Sequence, residues 1–303
     1  MTESRIYFSY GSEEFVKEIA KKHTESDITI YGRKDGDDTM TIFYPAKFPD
    51  KIQSLTDSIF LSQCSIIGTG SIDRALGEVI IASDLMEKKN GYLLTGEGTD
   101  TSLLDRLLKN SVMEGYEKFT GRSMEFLSKP WNGKSGNPEG PTSIIIDHFF
   151  QVKSVGTVAL GFVLSGTAKK HQNLYLNPSG KTAQIKSIQM NDIDVEFAPA
   201  GSRVGLALKN VDVDQLERGN MLEEEKRDAT DSIEGEIFFH RAVPEPLRSD
   251  GEVFLAGHLR YQRGFMAGGN IKMDKPILPE GEYLLVRPNS KPRIIGKIRN
   301  ASF

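Results

Sequence analysis

Cysteine is almost absent from this chain, in which Cys64 is the single cysteine among 303 residues. An internal disulfide framework is therefore excluded, and this favours a reducing, cytoplasmic setting. Long apolar runs are absent too, since stretches such as Glu78–Ala82 and Ser143–Ile146 fall far short of the roughly 18 residues that span a bilayer. The N-terminus is polar and acidic and does not read as a signal peptide. We therefore expect no membrane partner.

A phosphate-binding loop is missing as well. Such a loop reads Gly-x-x-x-x-Gly-Lys-Ser/Thr after a strand, so that backbone amides and the lysine reach the phosphates. The fragments Gly133-Lys134-Ser135 and Gly180-Lys181-Thr182 carry only its end, because Ser128 and Tyr175 stand where the first glycine is required. After the first predicted strand the chain reads Ser9-Tyr10-Gly11-Ser12-Glu13-Glu14, with no lysine and two acids that repel phosphate. We therefore predict that neither GTP nor GDP binds below millimolar concentration.

Metal-binding and catalytic arrangements are also missing. The histidines have no zinc spacing to one another, and a single cysteine adds no ligand set. They are His23, His148, His171, His240 and His258. Acid pairs such as Asp37-Asp38 fall in turns, where carboxylates commonly serve the turn itself. We therefore predict no metal, no cofactor and no catalytic residue, and we interpret the chain as a non-enzyme.

What the sequence does contain is ordinary for a globular protein, with 38% hydrophobic and 26% charged residues. The net charge of −4 hides an asymmetry, because only the segment 227–303 carries more basic than acidic side chains. A protein that binds RNA mainly by neutralising phosphates is usually more basic. Any RNA contact is therefore expected to be local, and the last segment is the place to look.

Strand and helix patterns alternate over residues 1–130, which predicts an α/β domain with a mostly parallel sheet. The predicted strands are Arg5–Phe8, Asp27–Tyr31, Thr39–Tyr44, Ser65–Ile67 and Tyr92–Thr95. The first predicted helix starts near Ser12, and three further helices are predicted over Phe48–Leu61, Ile72–Met86 and Thr99–Met113. Residues 131–141 are rich in glycine, proline and asparagine and mark a linker.

From residue 142 onward short strand patterns alternate with turn residues, which predicts two antiparallel β-barrels at 142–226 and 227–303. The strands predicted for the first barrel are Ile144–Val152, Gly156–Leu164, Asn173–Leu176, Lys181–Gln189, Arg203–Leu208 and Met221–Leu222. Those predicted for the second are Ile233–His240, Glu252–Leu259, Phe265–Met273, Glu282–Arg287 and Pro292–Arg299.

The first barrel resembles domain II of the elongation factor Tu-like translational GTPases. The resemblance lies in Gly156-Thr157-Val158-Ala159-Leu160-Gly161, in Ala198–Lys209 and in the Arg-Gly of Leu216–Leu222. Ser187-Ile188-Gln189-Met190 is more similar to the selenocysteine-specific elongation factor than to elongation factor Tu itself. In the second barrel, Lys291–Arg299 looks like the final strand of domain III.

The resemblance implies that the N-terminal domain is a degenerate G domain, with an α/β domain of other ancestry as the alternative. Where the family has Asp-x-x-Gly-His this chain reads Tyr44–Asp50, and where the family reads guanine with Asn-Lys-x-Asp it has Thr95-Gly96-Glu97-Gly98. Such a domain is a candidate surface for a protein partner.

The resemblance also implies a binding pocket in the first barrel, because domain II of the family holds the aminoacylated 3′ end of tRNA or docks on ribosomal RNA. The corresponding positions here are Gly161, Phe162, Gln189 and Met190. Position 162 departs from the family, which has arginine there. The Phe162 ring either stacks on a base or fills the barrel core.

The second barrel offers a basic surface as a further RNA candidate. Its cations are Arg260, Arg263, Arg287, Lys291, Arg293, Lys297 and Arg299. Alternation along a strand predicts Arg293, Lys297 and Arg299 on one exposed face, opposite Ile294 and Ile298, and a bulge near Ile295-Gly296 would reset this register. This face either contacts an RNA backbone or is only solvated.

Together these features predict a translation-elongation-factor-like protein without GTPase activity that binds tRNA or the ribosome. Two rival hypotheses stay open. One is a protein-interaction scaffold that touches no RNA, and the other is a GTPase with a cryptic nucleotide site.

Overall fold

The computed structural model describes residues 4–36, 38–96, 98–131, 133, 136–279 and 281–300. Asp37, Glu97, Lys134 and Ser135, which entered the sequence predictions, lie outside the described residues. Within the described ranges, none of the helices has both the length and the apolar character needed to cross a membrane.

The N-terminal part of the chain folds into a mixed sheet with helices packed against it. Its strands are β1 (Ser4–Tyr10), β2 (Lys21–Thr24), β3 (Thr29–Asp35), β4 (Asp38–Tyr44), β5 (Cys64–Gly68), β6 (Gly91–Leu94) and β7 (Glu117–Phe119). Its helices are α1 (Glu13–Ile19), α2 (Ile52–Leu61), α3 (Arg74–Leu85), α4 (Thr101–Leu108) and α5 (Ser123–Phe126). The strand order is β2-β3-β4-β1-β5-β6-β7. Strands β4, β1, β5, β6 and β7 run parallel, and β2 and β3 add an antiparallel edge.

Two differences from the predicted elements of this domain have local causes. The helix predicted over Thr99–Met113 ends at Leu108, because Asn110 adopts a left-handed φ of 60° and such a residue terminates a helix. Strand β2 was not predicted, because it is a short exposed edge strand of polar residues without apolar alternation.

The middle part of the chain is an antiparallel barrel, called barrel 1 below. Its strands are β8 (Ser143–Val152), β9 (Gly156–Ser165), β10 (Thr167–Lys169), β11 (Asn173–Asn177), β12 (Lys181–Met190), β13 (Ile193–Val195), β14 (Phe197–Pro199), β15 (Arg203–Lys209) and β16 (Met221–Glu223). The order β11-β16-β8-β9-β15-β12 closes on itself because β11 also pairs with β12. Alternate residues such as Leu174, Ile185 and Leu206 fill its core.

The last part is a second closed antiparallel barrel, called barrel 2. Its strands are β17 (Thr230–Phe239), β18 (Gly251–Gly257), β19 (Arg260–Ala267), β20 (Asn270–Ile277), β21 (Glu282–Val286) and β22 (Ile294–Asn300), in the order β17-β20-β19-β18-β21-β22. The single strand predicted over Phe265–Met273 is wrong. The chain reverses at Gly268-Gly269, where both residues have positive φ, and this turn separates β19 from β20. Paired glycines between two strand patterns are a hairpin signal that the prediction overlooked.

The predicted fold class, an α/β domain followed by two antiparallel barrels, is confirmed. The domain limits given above stay a prediction. The helices on one side of the N-terminal sheet lie against barrel 2, since α2 contacts β18 and α3 contacts β22. This arrangement leaves the opposite end of the N-terminal domain facing barrel 1 across a groove.

Candidate nucleic-acid interface

A groove of about 1020 Å³ separates the N-terminal domain from barrel 1. One wall comes from the end of α1, from β2 and from the end of β3, and the other comes from β9, β12 and β15. Basic residues outnumber acidic ones along the groove. The basic lining residues are Lys17, Lys21, Arg33, Lys34 and Arg203, and the acidic ones are Glu18 and Asp192. The chain as a whole is net acidic, so this local excess of cations makes the groove a candidate site for an anionic ligand.

The barrel wall of this groove is flat and partly apolar. Register places Leu160 beside Gly205 and Gly205 beside Gln189 on three adjacent strands, so the three residues form one row across the barrel. Gly205 contributes no side chain, and a Cβ added there would lie 3.5 Å from Cδ2 of Leu160. The row is therefore a smooth surface with the Gln189 side-chain amide at its edge. This amide donates from Nε2 to Asp194 Oδ1 at 3.0 Å.

Arg203 is the unusual cation of the groove. Its side chain is half-buried, and burial lowers the pKa of its guanidinium while Asp147 and Asp192 oppose that effect. Within the part of the chain that the structure describes, this guanidinium forms no ion pair and no hydrogen bond. A guanidinium stays charged under all ordinary conditions, so Arg203 presents unused hydrogen-bond donors toward the groove.

Of the residues predicted for the barrel pocket, Gln189 lines the groove and Phe162 does not. Phe162 is only 1% exposed, and its ring meets the ring of Phe43 edge-on, with 5.2 Å between centroids. The buried alternative therefore holds for Phe162, whose ring is not free to stack on a base. Gly161 is buried against the carbonyl oxygen of Ile145, and Met190 packs against the core of barrel 1. An RNA role for Gly161, Gln189 and Met190 stays a prediction.

The basic surface predicted for barrel 2 is not a free face. Arg293 donates from its main-chain and Nε nitrogens to Glu78 Oε1 at 2.9 and 3.0 Å, and from Nη1 to the carbonyl oxygen of Pro49 at 2.7 Å. Lys297, with its side chain 8% exposed, pairs with Glu87 at 3.0 Å and with Glu282 at 3.2 Å. The expected exposure of Arg293 and Lys297 is therefore wrong. Arg299 is more exposed, yet it pairs with the same two carboxylates.

The other predicted cations of barrel 2 are scattered. Arg260 donates to the carbonyl oxygen of Gly219 in barrel 1, whereas Arg263 pairs with Glu252. Arg287 donates to the carbonyl oxygen of Ser249, and Lys291 lies exposed near the N-terminus of α3. The structure thus does not bring these cations onto one surface, and their binding of RNA stays a prediction.

Sequence reasoning missed an ionic cluster between the N-terminal domain and barrel 1. Arg218 donates from Nη1 to Asp57 Oδ2 at 2.8 Å and from Nε to Asp147 Oδ1 at 3.1 Å, and His148 lies 2.8 Å from the other oxygen of Asp147. Burial raises the pKa of Asp57 to about 6, although Arg218 opposes the shift. The cluster borders a cavity of about 300 Å³. Arg203 and Arg218 both lie in the motifs quoted above, but a motif does not tell which side chains keep a partner.

The crevice at the carboxyl ends of β1 and β5 is where α/β domains of this kind usually bind ligands. Here the chain fills it with its own atoms. Two residues, Gly11-Ser12, connect β1 to α1, and a Cβ added at Gly68 would lie 2.0 Å from the Gly11 carbonyl oxygen. The Oγ atoms of Ser9 and Ser12 lie 2.7 Å apart, and the rings of Tyr10 and Phe48 meet edge-on at 5.6 Å.

Comparison with known proteins gives three kinds of match. Residues 156–223 match the family model of elongation factor Tu domain 2. An uncharacterized protein of Methanocaldococcus jannaschii is 36% identical over 234 residues, which are 76% of this chain and 76% of that protein. The selenocysteine-specific elongation factor of the same organism is 42% identical over 80 residues, which are 26% of this chain and 17% of that factor.

Solved structures share the fold of the whole chain. A bacterial selenocysteine-specific elongation factor has a TM-score of 0.79 at 14% identity, covering 99% of this chain and 58% of that one. Elongation factor SelB of Methanococcus maripaludis, in complex with the GTP analogue GppNHp, has a TM-score of 0.79 at 16% identity, covering 99% of this chain and 79% of that one. The chain thus spans less than two thirds of some of these proteins. The chain therefore belongs to one family with the uncharacterized Methanocaldococcus jannaschii protein, and through its domain 2 it is related to the elongation factor Tu-like proteins that include the selenocysteine-specific elongation factors.

Proposed function

We propose that this protein binds the 3′ end of tRNA in the groove between the N-terminal domain and barrel 1, and that it neither binds nor hydrolyses GTP. The main support for the proposal is the position of Arg203 in this groove. Its half-buried guanidinium faces the groove without an ion-pair partner among the described residues, next to a flat apolar row. A half-buried guanidinium without an ion-pair partner is only partly hydrated, so a bound anion that accepts hydrogen bonds from it gains free energy.

The groove has the parts that a single-stranded RNA end requires. A base packs on the row of Leu160 and Gly205, and the Gln189 amide lies at the edge of that row, where it meets polar groups of the base or the ribose. Arg203 then takes a phosphate in a bidentate contact, and the exposed Lys21 and Lys34 attract the backbone at the rim.

The absence of nucleotide binding is supported by the crevice between β1 and β5. A phosphate cradle needs several free backbone amides and a lysine, whereas this turn is two residues long and packs tightly on Gly68. Glu13 and Glu14 start α1 at the position where phosphate would meet the helix. The same packing argues against the rival hypothesis of a cryptic nucleotide site at this position.

The test is a tRNA-binding titration by fluorescence anisotropy over a series of salt concentrations. Arg203→Ala is expected to weaken binding about tenfold and to flatten the salt dependence by about one unit, because one phosphate contact is lost. The matched control is Arg106→Ala, which removes an exposed cation on α4 outside the groove and is expected to change affinity less than about twofold. If the wild-type protein does not bind tRNA, the scaffold hypothesis takes the place of this proposal.

The nucleotide half of the proposal has its own measurement. Isothermal titration of the wild-type protein with GTP and with GDP, each with Mg²⁺, is expected to show no binding in the micromolar range. Micromolar affinity for either nucleotide would refute this half and leave the tRNA half standing.

A further inference from the structure

Helix α2 lies at the centre of the molecule. Eight of its ten residues are buried, and they include the polar Ser54, Thr56, Asp57 and Ser58. A helix that packs on one side only would turn such polar residues to water. Instead α2 contacts β1 and β4 on its own sheet and β18 of barrel 2, while Arg218 of barrel 1 pairs with its Asp57. All three domains therefore enclose one helix.

A second feature joins the three domains near this helix, namely a single apolar cluster to which each of them contributes. Its buried members are Ile6, Ile28, Ile30, Phe43 and Leu61 from the N-terminal domain, Ile145, Phe162 and Met221 from barrel 1, and Leu259 and Leu278 from barrel 2. The Phe43–Phe162 ring contact lies within it. Rotating the N-terminal domain away from the barrels would expose this cluster to water, which is unfavourable in proportion to the apolar surface uncovered.

Polar contacts fasten the N-terminal domain to barrel 2 around the apolar contacts. Glu78 of α3 accepts several hydrogen bonds from Arg293, and Asp84, also of α3, lies 2.9 Å from Nε2 of His240. Arg241 donates to the carbonyl oxygens of Lys109 and Asn110 just after α4. These contacts lie at separate points along α3 and just after α4, so the domain is held at more than one place.

We infer that the three domains form one rigid body in solution and that the groove keeps its width whether or not a nucleotide is present. Domains joined by a small polar interface usually move relative to each other, whereas a large apolar interface prevents such motion. The part of the inference that concerns RNA rests on the proposed function, because a permanently assembled groove binds tRNA without a nucleotide-driven closing step. The rigid-body part stands on the interface alone.

The test is a distance measurement between spin labels by pulsed electron paramagnetic resonance. Labels are placed at the exposed positions Arg106, Lys181 and Lys272, one in each domain, as the pairs Arg106→Cys with Lys181→Cys and Arg106→Cys with Lys272→Cys. Cys64 is fully buried and is left in place, and the unsubstituted chain serves as the labelling control. Each pair is expected to give one distribution, no wider than the label's own spread, that is the same without nucleotide, with GTP and with GDP. A second population or a nucleotide-dependent shift would overturn the inference.

A loosened variant shows whether the named contacts hold the domains together. Phe162→Ala combined with Arg293→Ala removes one apolar and one polar contact and is expected to broaden both distributions. A distribution that stays narrow in this variant would refute the role given to Phe162 and Arg293 and would show that other contacts hold the domains.

Binding of tRNA is measured separately, and its affinity is expected to differ less than about twofold between the nucleotide conditions, since a ligand without preference for one state shifts no equilibrium. A nucleotide-dependent affinity would refute the permanently assembled groove. A complete loss of tRNA binding with unchanged distances would refute the proposed function and leave the rigid body intact.

Discussion

Arg203 and Arg218 are two arginines of barrel 1 with different roles. Arg218 lies between Asp57 and Asp147, so its charge is used in joining two domains. Arg203 lies nearby on β15, and among the described residues it has no such partner. The first is a structural cation, and the second is available to a ligand, although both are half-buried arginines in the same family motifs.

Asp57 makes the stability of the protein depend on pH in an unusual direction. Its folded-state pKa is raised to about 6, above the ordinary value of about 3.9, so the folded state binds the proton more tightly than the unfolded state. Protonation of Asp57 therefore raises the free energy of unfolding as the pH falls through 6, and this increase is complete near pH 4. We expect Asp57→Asn to remove the gain, so the stability of the wild type relative to this variant rises by about 2 kcal/mol between pH 7 and pH 4.5.

Urea unfolding of both proteins at the two pH values measures this difference. The matched control is Asp231→Asn at an exposed position of β17, which is expected to give the same stability difference at both pH values. A wild-type advantage over Asp57→Asn that shrinks on acidification would contradict the argument.

At the scale of single side chains, the sequence predicted burial correctly and exposure poorly. Ile294, Ile295 and Ile298 are all 0% exposed, but only Ile295 and Ile298 lie in the core of barrel 2. Ile294 packs with the N-terminal domain, because the pairing of β21 with β22 shifts register at Ile295. Alternation also predicted that Lys297 points away from the core of barrel 2 into solvent. It does point away from that core, but there it meets Glu87 of the N-terminal domain. A period of two identifies the inner face of a strand and carries no information on what covers the outer face. The alternation of apolar residues therefore could not predict contacts between domains.

At the scale of elements, most strands and helices could be predicted, and the failures have specific causes. The glycine pair at 268–269 was treated as strand although it forms a turn, and β2 carries no apolar pattern at all. The groove could not be predicted, since its walls come from elements that lie far apart in the sequence. Its single predicted member, Gln189, came from the family resemblance and not from any spacing.

The turn between β1 and α1 provides a prediction at this scale. Gly68→Ala is expected to lower the free energy of unfolding by about 3 kcal/mol, because its new Cβ would overlap the Gly11 carbonyl oxygen and a tightly packed backbone has no room to shift. Gly70→Ala, two residues further along, is the matched control. Apart from its chain neighbours, no atom of the described residues lies within 4 Å of a Cβ at Gly70, so the effect is expected to stay within about 0.5 kcal/mol. Equal stabilities of the two variants in urea titrations would show that the crevice is looser than described.

At the scale of the whole molecule, the shared helix α2 and the shared apolar cluster predict a single cooperative unfolding transition. Differential scanning calorimetry is expected to give one peak whose van't Hoff and calorimetric enthalpies agree. The total enthalpy expected near 60 °C is roughly 200 kcal/mol, at about 0.7 kcal/mol for each residue. Two or three resolved peaks would indicate domains that unfold independently and would contradict this prediction.

The enclosure of α2 also determines when the protein can finish folding. Arg293, which binds Glu78, follows it by 215 residues, and β18 and β22 of barrel 2 are made long after the helices they cover. At about 5–20 residues per second, a ribosome needs roughly 10–40 s to produce that length of chain. Throughout this interval the apolar cluster around α2 and α3 lacks the residues that barrel 2 adds to it, namely Ala256, Leu284, Val286 and Ile294. The N-terminal domain is therefore made before the two barrels yet completes its core only after them, and during translation it presents an apolar surface of the kind that chaperones bind.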